Sequence, residues 1–235
     1  GTDKLCISTS TECTRISTAY SKRDTSSDTT INLISGTTSS PKTHSSDTAD
    51  ISVTSKTLTI QSTETAAAVF TAGWTVTTAA FSLSDGGSLT LQRFTVKRNI
   101  KLPSTKYLFK IVHASSTLTL TNMNVQSLAT VEHESYIIYF YLGTLSCSTV
   151  TFSAFKSNSS IFYLGSSVSH TFVSTTFESI TRTSGNGAVV CSTSMGTTTF
   201  RGLTFKQCTA QKGGAMYIKV KTGSTVTLSS LTFTS

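Results

Sequence analysis

A short phrase of hydroxyl and apolar residues recurs along the chain and constrains its fold more than any other feature. The phrase is Thr or Ser, any residue, Thr, and then an apolar anchor residue, as in Thr57-Leu58-Thr59-Ile60. The anchors follow one another at intervals of 20 to 32 residues: Ile60, Leu91, Leu120, Phe152, Phe172, Phe200 and Leu228. A repeat of this length is typical of solenoids, propellers and repeat arrays.

Each unit also carries a second apolar run, such as residues 107–112 or 136–142. The runs are rich in Val, Ile, Phe, Tyr and Thr, which suit a pleated surface, and no long stretch has a helical period. The units are too short for four-stranded propeller blades. We therefore predict an all-β fold, a right-handed parallel β-helix (a solenoid) of about six to seven coils of roughly 28–30 residues.

Successive coils of such a fold lie over one another, so equivalent residues form columns. We expect Leu91, Leu120 and Phe152 to share one interior stack. Residues 1–50 are rich in Ser and Thr with little periodicity, and we interpret them as an irregular N-terminal cap or arm. Residues 51–235 are assigned to the β-helix, which we expect to continue or to stack beyond Ser235.

The segment 205–217 reads Phe-Lys-Gln-Cys-Thr-Ala-Gln-Lys-Gly-Gly-Ala-Met-Tyr. It resembles the F-x-x-N…G-G-A-I repeat of the chlamydial polymorphic outer-membrane proteins, and 177–189 is a weaker copy. Similar repeats occur in protist surface proteins that are described as right-handed β-helices. Cys208 and Ile180 stand where the repeat has Asn, and Asn186 separates two glycines. The resemblance implies a secreted or surface-displayed, adhesive structural protein.

The composition also favours an extracellular or cell-surface location. Charged residues make up 13% of the chain, about half of their usual share, and Ser and Thr offer sites for O-glycosylation. The sequon Asn158-Ser159-Ser160 is a candidate N-glycosylation site. No run of 18 apolar residues is present, so we predict no membrane-spanning helix.

The five cysteines do not form a dense disulfide framework. Cys6 and Cys13 lie close enough in sequence for a small loop disulfide in a secreted protein, the alternative being two free thiols. The other three occupy different phases of the repeat and are interpreted as small apolar residues. No Cys-x-x-Cys occurs and the histidines are scattered, so no metal site is predicted.

Many parallel β-helix proteins cleave polysaccharides, which requires carboxylates on both sides of the scissile bond. Within the coils, Glu132 and Glu134 are the acidic residues that lie close in sequence, and they flank His133. This triplet could bind a cation or transfer protons, and a solvated turn is the simpler interpretation. His170 occupies an inward position and is interpreted as a packed core residue. We predict a non-enzymatic protein without a cofactor.

The formal net charge is +8. Basic patches can bind anionic glycans or a cell surface, or can be solvated without a ligand. Nucleic acid is disfavoured as a partner because no recognised binding module is present.

Strand alternation predicts that Tyr139, Tyr141 and Tyr217 point outward. Such tyrosines could stack on sugars. Because a strand that is apolar on both faces is usually buried on both, we favour coverage by the N-terminal arm or by another subunit.

The same alternation turns the hydroxyl residues of each phrase outward. The predicted Thr ladder consists of Thr57, Thr59, Thr90, Thr117, Thr119, Thr149, Thr151, Thr171, Thr197, Thr199, Thr225 and Thr227. Regular Thr-x-Thr arrays are similar to the ice-binding faces of some antifreeze proteins.

The final phrase offers a candidate assembly end at Leu228, Leu231 and Phe233. Other copies of the chain, or further chain, are the partners expected at the coil ends. The sequence thus predicts a structural or adhesive module of a larger surface or filamentous assembly. An ice-binding protein is one alternative, and a carbohydrate-binding or polysaccharide-acting β-helix protein is another.

Overall fold

A computed structural model describes residues 4–6, 19, 27–33, 42–44, 50–62, 68–72, 76–165 and 169–235. These residues form a nearly all-β solenoid of about six turns, built from stacked parallel sheets. The repeat-based prediction of a parallel β-helix is confirmed in this respect. No helix in the described ranges is both long and apolar enough to cross a membrane.

The first sheet contains 15 strands in two adjacent rows. The first row consists of β1 (Lys4–Cys6), β2 (Thr29–Leu33), β5 (Thr57–Ser62), β8 (Ser88–Gln92), β11 (Thr117–Ser127), β14 (Thr144–Ser153), β17 (His170–Val173), β21 (Thr198–Arg201) and β24 (Val226–Ser229). The second row consists of β3 (Lys42–His44), β6 (Ala68–Ala72), β9 (Thr95–Arg98), β18 (Thr176–Glu178), β22 (Thr204–Lys206) and β25 (Thr232–Thr234). The long strands β11 and β14 belong to both rows.

Two further sheets complete the coils. The seven-stranded second sheet contains β4 (Ile51–Thr54), β7 (Ala79–Ser84), β10 (Tyr107–Ile111), β13 (Ile138–Phe140), β16 (Phe162–Leu164), β20 (Val190–Met195) and β23 (Met216–Val220). The third sheet contains β12 (Glu132–His133), β15 (Lys156–Ser157) and β19 (Thr181–Arg182). Strands β2 and β3 pair in register with β5 and β6, so solenoid pairing is present before residue 51.

The core is a set of apolar columns that run along the solenoid. In the first row the inward column, paired in register, consists of Ile31, Ile60, Leu91, Leu120, Cys147, Phe172, Phe200 and Leu228. All but the last of these side chains are buried. Each coil therefore covers the apolar face of its neighbour, as a repeat protein requires.

The structure corrects the register of the fourth phrase, which ends at Phe152. Leu120 pairs with Cys147, whereas Phe152 pairs with Val125 in the second-row column. Leu91 and Leu120 are stacked as expected, but Phe152 lies one column away within the same core. The true anchors at positions 120, 147 and 172 are 27 and 25 residues apart, so the coils are more regular than the sequence phrases indicated.

A left-handed residue at an equivalent position in six successive coils produces the bend between the two rows. These residues are Arg93, Asn122, Thr149, Ser174, Gly202 and Ser230, with φ between 49° and 65°. Such a φ is uncommon for residues other than Gly, and it is an outlier for a β-branched residue. The bend inserts one residue, so inward positions change from Leu118 and Leu120 to Met123 and Val125.

Beyond the bend, the second-row column becomes an aromatic stack from Phe152 onward. Phe177 lies between Phe152 and Phe205, with ring centroids 5.4 and 5.2 Å away and nearly parallel planes. Phe205 stacks in turn on Phe233 at 4.9 Å. Phe233 is 61% exposed because its outer side has no neighbouring coil in the described residues.

The Gly-rich motif has a steric explanation. Gly187 and Gly213 occupy equivalent corners and share a φ of 64°. A Cβ atom at Gly213 would lie 2.3 Å from the carbonyl oxygen of Met216, and one at Gly187 would lie 2.1 Å from that of Val190. Both corners need Gly because a carbonyl occupies the space that a side chain would fill.

Candidate binding surfaces

The outer face of the second sheet carries a column whose composition changes along the solenoid. Read in register, the column consists of Ser52, Ser82, Lys110, Tyr139, Tyr163, Cys191 and Tyr217. The outward orientation predicted for Tyr139 and Tyr217 is therefore found. Tyr141, two residues beyond Tyr139, is 53% exposed.

Five tyrosines cluster on this side and are named here the tyrosine face: Tyr107, Tyr136, Tyr139, Tyr141 and Tyr163. Tyr139 stacks on Tyr107 at 4.7 Å and on Tyr163 at 4.8 Å between ring centroids. Tyr136 packs edge-on against Tyr163 at 5.4 Å, and Tyr141 lies parallel to Tyr139 at 6.5 Å. Rings in such arrangements stabilise one another beyond the area that they bury.

The phenols of Tyr107, Tyr136 and Tyr139 are neutral hydrogen-bonding groups at physiological pH. Burial raises the pKa of Tyr107, and a hydrogen bond with Ser135 opposes that rise. Burial also raises the pKa of Tyr136, while the nearby Arg182 charge lowers it. The pKa of Tyr139 is raised as well, again mainly by burial. Each hydroxyl can therefore donate one hydrogen bond and accept others.

The surroundings of the tyrosine face are basic. The seven described strands of the second sheet contain no Asp or Glu, but they include Lys110 and Lys219. Lys110 is directly in register with Tyr139. Lys106, next to Tyr107 in sequence, donates a hydrogen bond to the carbonyl oxygen of Thr77. These cations give the face a positive charge.

The first sheet displays a second regular surface, named here the threonine column. Its members, paired in register, are Thr30, Thr59, Thr90, Thr119, Ser146, Thr171, Thr199 and Thr227. None of them is buried. A parallel second column contains Thr57, Ser88, Thr117 and Thr144. Adjacent members are separated by the inter-strand spacing of about 4.7–4.9 Å.

The sequence-based prediction is wrong for two members of the Thr ladder, which lie outside the threonine column. Thr149 occupies the left-handed bend, and Thr151 lies in a second-row column with Asn124 and Thr176. The residues that fill the ladder in this coil are Thr144 and Ser146. Thr197 and Thr225 are exposed and lie just before β21 and β24.

The threonine column is flanked by a column that is less uniform. Gln61 Nε2 donates a hydrogen bond to Asn32 Oδ1 at 2.8 Å, and Gln92 Nε2 donates one to Gln61 Oε1. Further along, this column contains Thr121, Ser148, Val173, Arg201 and Ser229. The flat uncharged surface is therefore interrupted at Arg201.

The Glu132-His133-Glu134 triplet is split between the inside and the outside of the solenoid. Glu132 pairs with Lys156 at 2.9 Å, and Glu134 pairs with Lys101 at 2.5 Å. Hydrogen bonds from these lysines hold the pKa of each carboxyl below its usual value. The His133 ring is fully buried. The three side chains therefore do not converge on one site.

The hydrogen bonds of His133 determine its tautomer. The backbone N–H of Leu102 donates to Nδ1 at 3.1 Å, so Nδ1 carries no proton. Nε2 then carries the proton and donates it to Ser127 Oγ at 2.8 Å. This direction is opposite to the one that would activate a serine nucleophile. Burial, together with the neighbouring Arg98 charge, lowers the pKa of His133 to about 4.

Arg98 is a buried cation that the sequence did not single out. Its Nε donates to the carbonyl oxygen of Ile100 at 2.7 Å, and its Nη2 donates to that of Lys101 at 3.4 Å. Burial lowers its pKa to about 10, and the Asp50 charge opposes this effect. The contacts hold a loop in place, which is a structural role.

His170 is confirmed as a core residue. It stands between Leu145 and Thr198 in an inward column and meets the Phe140 ring edge-on at 5.4 Å. Burial lowers its pKa to about 4, while the backbone of Gly165 acts in the opposite direction.

The remaining predicted residues have varied positions. The Cys6–Cys13 pair lies outside the described residues, except for the backbone of Cys6. Cys147, Cys191 and Cys208 are free thiols, of which Cys147 is buried. Asn158 is exposed, whereas the Ser160 hydroxyl of its sequon is buried and donates to the Gly187 carbonyl oxygen at 2.6 Å.

At the last coil, Leu228 is 52% exposed and Leu231 is partly buried against the core. The described residues contain no cluster of three or more His, Cys, Asp or Glu that could hold a metal ion.

No protein-family model matches the chain, and no curated protein is similar enough in sequence to count as a match.

Proposed function

We propose that this chain is a non-enzymatic, extracellular structural module that adheres to other molecules through an outer face of its solenoid. It would work as part of a larger surface or filamentous assembly. The observation that carries the proposal is the tyrosine face, where five aromatic side chains pack against one another on the outer side of parallel strands, Tyr141 exposed and the other four partly buried. Tyrosine is enriched in protein interaction surfaces because it combines a large apolar ring with a polar tip.

The interior supports a scaffold role. The polar groups of His133, Ser127 and Arg98 are occupied with hydrogen bonds that hold loops and neighbouring coils together. The resemblance of residues 205–217 to the chlamydial polymorphic outer-membrane protein repeat supports display at a surface. A rigid rod with regular outer columns is suited to presenting such a face away from the cell.

Binding to whole cells and to a glycan array tests this proposal. We expect the wild-type protein to bind, and we expect the double variant Tyr139→Ser/Tyr163→Ser to lose most of its binding while it keeps its β-rich circular dichroism spectrum. A variant on the first sheet, Thr90→Ser, is the matched control and should bind normally. Equal binding by the tyrosine variant and the wild type would reject the tyrosine face as the adhesive surface. Electron microscopy of the same samples would show whether the protein forms filaments.

Ice binding is a second candidate because the threonine column runs without a break over eight paired strands. All eight members present hydroxyl groups at a regular spacing without charge, and the seven threonines also present methyl groups. Arg201 and the Asn32–Gln61 amide pair limit the width of the uncharged surface. Thermal hysteresis that disappears in Thr90→Lys and persists in Tyr139→Ser would support this candidate. Absence of recrystallisation inhibition at high protein concentration would eliminate it.

A further inference from the structure

We propose that the tyrosine face and its flanking lysines bind an acidic polysaccharide, one whose sugar units carry carboxylates. The inference rests on the adhesive function proposed above and names the ligand class of the same surface.

The stacking geometry determines which atoms the tyrosine face offers. The centroid distances of 4.7 and 4.8 Å in the stack of Tyr107, Tyr139 and Tyr163 match the spacing between neighbouring strands. The rings therefore stack along the solenoid and cover one another's faces. Ring edges and hydroxyl groups are what remain for a ligand. Such a surface recognises hydroxyl and carboxylate groups by hydrogen bonding, rather than the apolar faces of neutral sugars.

The charge of the surroundings selects an anionic ligand. Lys110 stands in register with Tyr139, and the described strands of this sheet supply no carboxylate to neutralise it. Arg182 is close enough to Tyr136 to lower its pKa. Its guanidinium Nη1 donates to Ser160 Oγ at 2.9 Å, which anchors the charge at the border of the face.

Three lysines on the other faces of the solenoid have a different environment from Lys110. Lys101, Lys156 and Lys206 each form an ion pair with a glutamate, at Glu134, Glu132 and Glu178. Lys110, in contrast, stands beside the tyrosines without an ion pair to any carboxylate of the described residues. The tyrosine face is therefore complementary to a polyanion.

The ligand class is tested with polygalacturonate oligosaccharides and with the same oligosaccharides after methyl esterification, which removes the charge and keeps the sugar. We expect titration calorimetry to show binding of the unesterified oligosaccharides and no binding of the methyl esters. The affinity should fall as the salt concentration rises, because salt screens exposed charges. The variant Lys110→Gln should weaken binding about five-fold, the range of one exposed charge pair. Tyr139→Phe, which keeps the ring and removes the hydroxyl, should also weaken it.

The matched control is Lys156→Gln on the third sheet, which should bind polygalacturonate like the wild type. Equal affinity for the acid and its methyl ester, or an unchanged affinity in Lys110→Gln, would overturn the inference. Binding to cells through the tyrosine face without binding to polygalacturonate would also overturn the ligand class, yet would leave the adhesive function standing. Failure to bind cells, array glycans and polygalacturonate alike would refute both.

Discussion

The buried imidazole of His133 makes the stability of the solenoid sensitive to mild acid. Its pKa is lowered from 6.5 to about 4, mainly by burial and further by Arg98. Between these two pH values the unfolded chain binds a proton that the folded chain does not. The stabilising contribution of the neutral imidazole is therefore complete above pH 6.5 and is lost as the pH falls towards 4.

The structure sets the size of the effect. One pKa unit corresponds to 1.36 kcal/mol, so the change from 6.5 to about 4 corresponds to about 3 kcal/mol of unfolding free energy. A proton on Nδ1 would face the N–H of Leu102, which now donates to that atom. The charged neighbours are Arg98 on the inside and, on the outside, the Lys101–Glu134 and Lys156–Glu132 pairs. Both outer glutamates are already neutralised by their lysines.

Urea denaturation at pH 7 and pH 4.5 measures the effect. We expect the wild type to lose about 2–3 kcal/mol from His133 over this interval, with a further loss from His170, whose pKa is also about 4. The variant His133→Gln keeps an acceptor and a donor but does not titrate, so its loss should be smaller by that amount. The control His113→Gln removes a partly exposed imidazole outside the core, and we expect it to behave like the wild type. An NMR titration that places the pKa of His133 near 6.5, or an unchanged pH dependence in His133→Gln, would refute the reasoning.

Three further predictions concern the bend, the corner and the aromatic stack, and each is checked by thermal or urea denaturation. Thr149→Gly should stabilise the fold by up to about 1 kcal/mol because it relieves a left-handed β-branched residue, whereas Thr151→Gly in the strand should destabilise it. The opposite order of stabilities would contradict the assigned bend. Gly213→Ala should destabilise by more than about 1 kcal/mol, since its Cβ would collide with a backbone carbonyl oxygen; a neutral effect would count against this corner geometry. Phe177→Ala should cost about 3–5 kcal/mol, and the exposed Phe233→Ala should cost much less; equal losses would be inconsistent with the stack.

The fold could be predicted from the sequence because each coil closes after a similar number of residues. Register was harder to predict, since β14 contains two similar phrases, one ending at Cys147 and the other at Phe152. The bend at Thr149 inserts a residue between them and shifts the inward positions. A left-handed conformation at Thr has no local sequence signal. The phrase that ends at Phe152 therefore replaces the one that ends at Cys147 in the sequence-based prediction, and the intervals become 32 and 20 residues where the structure has 27 and 25.

The candidate surfaces could likewise be predicted only where the signal lies within a single strand. Alternation along one strand was sufficient to place Tyr139 and Tyr141 outside. Tyr107 and Tyr163 became part of the surface only through pairing between coils. The tautomer of His133 could not be predicted from the sequence either, because the N–H that determines it belongs to Leu102, on the preceding coil.

The outer column of the second sheet shows that folding does not require tyrosine at these positions. Ser52 and Ser82 occupy the same column as Tyr139 and Tyr163, and all four lie on strands whose inward residues are buried. A serine at this position is therefore compatible with a folded coil. Since the interior does not require tyrosine there, the change from Ser to Lys and Tyr midway along the solenoid has no explanation in the packing of the core, and it agrees with the ligand proposed for this face.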